Sequence, residues 1–115
     1  MKKTRLLGGV VFGGLAGFGL TVYAADPHPS ELFLQYCAKC HGEDGRAQTP
    51  KGKQLMAQDF TDAEWQAEES DAELIKVVTK GGEDMPPFGK KLTKEQIESL
   101  VKNDVRGFVK KKGER

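Results

Sequence analysis

Five consecutive residues constrain this chain more than any others: Cys37-Ala38-Lys39-Cys40-His41. On a helix, positions i, i+3 and i+4 share a face, so both thiols and the imidazole point the same way. Cys37 and Cys40 are the only cysteines among 115 residues. Any chemistry that uses both must therefore use them at this one place.

The C-x-x-C-H spacing is the attachment signature for c-type haem. Two thiols can form thioethers with the two haem vinyl groups while the adjacent imidazole reaches the iron. Two other chemistries use a C-x-x-C pair. A thioredoxin-like redox pair needs a βαβ context, which the sequence does not offer. A structural zinc site needs four ligands, and His28 is the one further histidine. Hydrophobic content is only 37%, and a domain of this size buries a modest fraction of its surface. Small chains usually need a staple. With both cysteines assigned to haem, the porphyrin would be that staple and half the core. The chain without it is expected to be largely unfolded.

The segment from about Ser30 to Phe108 resembles a class I c-type cytochrome with one haem, of the small bacterial periplasmic kind. The resemblance rests on Cys37–His41, Gly42-Glu-Asp-Gly45, Asp59-Phe-Thr-Asp-Ala-Glu-Trp65, Met85-Pro-Pro-Phe88 and Leu92-Thr-x-Glu-Gln-Ile97, in that order. It implies an all-α cytochrome c fold: three main helices and a short one wrapped around a single covalent haem c. It also implies that a proline carbonyl in the loop after His41 accepts the proximal histidine's other N–H, and Pro50 is the matching position. Family members often carry an aromatic in the last helix near Asn103 or Asp104. This chain has none there, which leaves the helix crossing open.

Residues 1–25 read as a secretory signal. Lys2, Lys3 and Arg5 form a positive start, and Leu6 to Tyr23 carries no charge. A retained anchor is the other reading, because the apolar run approaches the roughly 20 residues that span a bilayer. Gly9-x-x-x-Gly13-x-x-x-Gly17 could pack helices there. Either reading places the haem domain, residues 26–115, in the periplasm. The full chain carries a net +1, and removing residues 1–25 leaves 15 basic against 17 acidic side chains. Nucleic acid is thereby disfavoured as a partner.

Asp26-Pro-His-Pro29 is expected to be a stiff linker with His28 in solvent. Ser30 can cap a first helix whose apolar residues Leu32, Phe33 and Tyr36 recur at helical spacing. Residues 42–53 read as loop. Met56 is expected in the core. Thr61-x-x-Glu64, Ser70-x-x-Glu73 and Thr93-x-x-Gln96 read as capping boxes, the last with Leu92 and Ile97 as its staple. Leu74, Val77 and Val78 form one apolar stripe. Ile97, Leu100, Val101, Val105 and Phe108 form another. Residues 59–73 carry seven acids and no lysine or arginine, while Lys102, Arg106 and Lys110–Lys112 gather near the end. That asymmetry would give a dipole able to steer a partner. The tail from Lys110 is expected to fray.

Met85 precedes two prolines, so its backbone is biased to an extended form and the segment after it is stiff. Such a loop can hold a thioether on iron, and Met85 is assigned as sixth ligand opposite His41. Arg46 can neutralise a propionate or stand solvated in its loop. Trp65 can pack on the haem with its N–H toward a propionate, or serve as core alone. His/Met ligation saturates the iron, which suits electron transfer rather than oxygen or peroxide chemistry. The expected function is one-electron carriage between periplasmic redox proteins by transient docking, without catalysis. The alternatives are a subunit held in a larger oxidoreductase complex, or a haem sensor or enzyme with an open sixth site.

Overall fold

The structure, a computed structural model, describes residues 27–109. The expected export segment, Met1–Ala25, and the basic tail from Lys110 lie outside the described residues. Every regular element among those described is helical: α1 (Glu31–Tyr36), α2 (Ala38–His41), α3 (Pro50–Leu55), α4 (Ala63–Glu68), α5 (Asp71–Lys80) and α6 (Lys94–Ser99). A π-helical segment, Leu100–Val105, continues α6. None of these helices is long and apolar enough to cross a membrane.

Side-chain caps set most of the starts. Ser30 Oγ accepts from the Phe33 N–H at 3.2 Å and opens α1. Ser70 Oγ accepts from the Glu73 N–H and opens α5. At α6 the full reciprocal box forms, with Thr93 Oγ1 accepting from Gln96 N and Gln96 Oε1 accepting from Thr93 N. The box expected at Thr61 does not form. Asp62 caps α4, its carboxylate accepting from the Glu64 and Trp65 N–H groups. Thr61 is instead held by Asp59, which accepts from both its N–H and its hydroxyl. A charged Asx cap one residue on displaces the weaker threonine.

The attachment helix is not continuous. Cys37 has φ −119°, and α1 stops at Tyr36. The Cys37 N–H still donates to Phe33 and the His41 N–H to Cys37, so the chain bends at Cys37 and resumes as α2. Part of the segment expected as loop is helical, and this helix, α3, packs on α2. Thr49 Oγ1 accepts from Gly52 N and donates to the Lys39 carbonyl at 2.6 Å, with Pro50 in the first helical position. A methyl group on Gly52 would collide with the Cys40 carbonyl.

The core gathers Phe33, Phe60, Leu74, Phe88, Ile97, Leu100 and Val101, with Phe33 and Val101 wholly enclosed. Val77, expected in the stripe of α5, is exposed. The α5 surface that packs is the one holding Leu74 and Val78, one turn apart.

The π-helical segment settles the crossing of the first and last helices. Widening the turn by one residue re-aims the side chains beyond it. Asp104 is turned inward to 2% exposure. Its carboxylate accepts from Ser30 N at 2.7 Å and from Ser30 Oγ at 2.8 Å. The aromatic contact comes later, from Phe108, whose ring lies 5.1 Å from that of Phe33. The linker ahead of α1 is tied down as well. His28 is exposed, yet its Nε2 donates to the Asp104 carbonyl at 3.0 Å and its ring lies 4.4 Å from Phe108.

Arg106, one of the basic residues expected at the positive pole, pairs instead with the acidic segment. Its guanidinium donates to Asp71 at 2.9 Å and to both the carbonyl and Oε1 of Gln66 at 2.8 Å. It also reaches the Glu69 carbonyl. Gln66, itself buried, donates to the Phe60 and Val105 carbonyls. Arg106 is thus spent on the end of α4 and the start of α5, and adds little to a surface dipole.

Candidate haem site

Cys37, Cys40 and His41 line one cleft of about 500 Å³, and Met85 lines it too. They reach it from separate parts of the chain. The first three stand on the bend of α1 into α2, and Met85 on the loop after α5. Buried Phe88 and half-buried Tyr36 and Leu55 line it with them, while exposed Lys39, Lys51, Glu83 and Asp84 form its rim. Tyr36 meets Phe88 edge-on at 5.9 Å between centroids.

His41 is fixed on two sides. Its ring stacks on Phe60 at 4.3 Å with 16° between planes. Its Nδ1 lies 3.0 Å from the Gln58 carbonyl. A carbonyl only accepts, so Nδ1 carries the proton and Nε2 keeps its lone pair. Burial pushes the His41 pKa below the ordinary histidine value, while the bond to Gln58 opposes that shift. The neutral imidazole that results is the form that binds metals. Burial also pushes the Cys37 thiol up to about 12, with lesser contributions from the charge of Asp104 and from Cys40.

The Met85 loop is held by main-chain bonds. The Gly82 N–H donates to the Met85 carbonyl at 2.9 Å, closing a tight turn. The Phe88 and Gly89 N–H groups then donate back to Val78 and Thr79 of α5. Gly81 opens this turn at φ +84°, and a side chain there would meet the Met85 carbonyl. The loop is therefore anchored at both ends around Met85.

The expectations for Pro50 and Met56 are corrected, and Trp65 and Arg46 lie off the cleft. The acceptor for His41 is Gln58, and Pro50 instead begins α3, where its missing N–H costs nothing. Trp65 does not line the cleft; it stacks on Phe60 at 5.6 Å, behind the histidine. Arg46 does not line it either and lies 3.9 Å from the Asp44 carboxylate in its own loop. Met56 is not core. It ends α3 in the left-handed region, at φ 56° and ψ 48°, and is 86% exposed at the cleft. The main-chain acceptor at Gln58 carries no side-chain signal that could have revealed it. Thr49-Pro50, by contrast, is a cap followed by proline at the first helical position, and that signal was present.

Two thiols, an imidazole with a free Nε2 and a thioether converge on one cleft. Its volume falls within the roughly 300–1,000 Å³ usual for small-molecule and cofactor sites. Both the soft donors and the apolar lining fit a haem. Fold and cleft together define a c-type cytochrome domain, a class that transfers electrons through haem c.

The chain belongs to the family described as cytochrome c oxidase, cbb3-type, subunit III, whose model matches residues 24–102. It is 32% identical over 73 residues to the cbb3-type cytochrome c oxidase subunit FixP of Azorhizobium caulinodans. That match takes in 63% of this chain and 24% of the relative, so the chain spans about a quarter of its length. Among solved structures it is similar to the KustC0563 c-type cytochrome, with 48% identity and a TM-score of 0.64 over 69% of this chain and 94% of that one. A single-residue variant of the same cytochrome matches at 46% identity and a TM-score of 0.59, over 67% and 93%.

Proposed function

We propose that this chain is an exported one-electron carrier with a single haem c joined through Cys37 and Cys40. His41 and Met85 are the residues that would hold its iron. Haem c, when bound, supplies an iron that takes up and gives back one electron. The chain's residues do the rest. Cys37 and Cys40 fix the porphyrin edge. The Gln58 carbonyl holds the His41 ring in one tautomer and orientation, as outer hydrogen bonds to metal-ligating histidines generally do. The stapled Met85 loop presents its sulfur with little freedom left to lose. Phe88, Tyr36 and Leu55 keep water from the cleft. Because His41 and Met85 would both be engaged in holding the iron, no bond-making chemistry is assigned to the site.

The observation that carries this reading is the convergence of Cys37, Cys40, His41 and Met85 on one cleft. The test is the absorption spectrum of the ferric protein, matured with haem-attachment machinery, beside that of Met85→Ala. The wild type is expected to show an iron–thioether charge-transfer band that the variant lacks. The variant, and not the wild type, should bind carbon monoxide when reduced. A wild type that binds it readily would instead have an open sixth site.

The N-terminal segment is read as a periplasmic export signal, and docking to redox partners as brief, through a small interface. A second reading is a haem subunit held within a larger oxidase, favoured by the family match and by the likeness to FixP. Fractionation of detergent-solubilised membranes separates the two. A carrier elutes alone, whereas a subunit elutes with a terminal oxidase.

A further inference from the structure

Asp104 is almost sealed from solvent, and no cation pairs with it among the described residues. Its carboxylate meets only the two donors of Ser30. His28 bonds the Asp104 carbonyl rather than the carboxylate, and the Arg106 guanidinium is turned to Gln66, Glu69 and Asp71. Neighbouring Lys102 and Asn103 are exposed. The carboxylate is therefore held by Ser30 alone, with no cationic partner among the described residues. Ser30 opens α1 and Cys37 lies just past its end, so this charge stands about 10 Å along the helix from the first attachment cysteine. Its field reaches that cysteine, since it is among the causes that raise the Cys37 thiol.

We infer that the buried Asp104 carboxylate, held by Ser30 against the attachment helix, lowers the reduction potential of the haem. The inference rests on the haem reading above. Ferric haem carries one more positive charge than ferrous haem, so a fixed negative charge favours the oxidised state. In the poorly polarisable interior such a charge is weakly screened by solvent and salt. Asp104 touches neither ligand; it acts through the field it sets up across α1.

The sign of the effect distinguishes this role from a structural one. Loosening the helix crossing would admit water to the haem, favour the more charged ferric state and lower the potential. Removing the charge raises it. The test is the midpoint potential of Asp104→Asn holoprotein, which keeps the shape and an acceptor for the Ser30 N–H. An upward shift is expected, similar in low and high salt. A covalently loaded variant whose potential is unchanged or lowered would overturn the inference. Asp104→Glu keeps a carboxylate at this position while disturbing the packing, so its potential is expected not to rise. A rise there would overturn the inference, even if Asp104→Asn did not accumulate. Failure of the wild type to hold haem would instead sink the haem reading, a distinct result.

Discussion

The Nδ1 of His41 donates 3.0 Å to the main-chain carbonyl of Gln58. Because the acceptor is backbone, residue type at 58 matters little to it. Gln58→Ala is expected to leave the ferric spectrum unchanged and to alter stability by less than about 1 kcal/mol, as for an ordinary surface substitution. Spectra and denaturant titration of the holoprotein check this. A variant with altered ligation would show that the side chain, rather than the carbonyl, holds the ring.

Met56 ends α3 in a left-handed conformation that costs most L-residues energy and glycine very little. Met56→Gly is expected to stabilise the holoprotein by about 0.5–1 kcal/mol, after the entropy of the freer unfolded chain is set against the relieved strain. A buried methionine would instead lose about 2–5 kcal/mol on truncation. Denaturant titration distinguishes a gain from a loss.

Gly52 lets α3 lie directly on the Cys40 carbonyl. Gly52→Ala is expected to push α3 off α2 and cost about 1–3 kcal/mol, as overpacking does. It should also lower the yield of haem-loaded protein, because the displaced elements carry one wall of the cleft. Equal yield and equal stability would show that α3 does not pack so closely.

Arg106 satisfies the carbonyls at the end of α4 with a planar fork of donors. A lysine offers three donors from a single point and cannot reproduce that reach. Arg106→Lys is expected to lose about 1–3 kcal/mol, the usual cost of leaving buried acceptors unmet. The loss should persist in high salt, since hydrogen bonds to buried carbonyls and not surface charge are at stake. Thermal unfolding at two ionic strengths reads both.

Local features are the ones legible in the sequence. Thr93 with Gln96, Ser70, Ser30 and the Met-Pro-Pro loop each announce themselves by residue type within four positions. The cleft is legible too, because C-x-x-C-H specifies its own geometry. The hidden features depend on contacts distant in sequence. Nothing near His41 points to Gln58, since main-chain acceptors have no residue signature. The π-helical turn that aims Asp104 at Ser30 has no pattern of its own, and the same residues read as an ordinary apolar stripe. Arg106 and Asp71 belong to opposite poles of the charge pattern, yet folding places them 2.9 Å apart. For Met56 a thioether suggests burial, whereas its position at a helix end is decided by where Thr49 begins that helix.

The most direct measurement of covalent haem attachment is the mass of the peptide containing Cys37 and Cys40, released from protein matured in cells that attach haem. One intact haem on that peptide, bound through both sulfurs, is the predicted result. Two unmodified thiols on a colourless protein would contradict it.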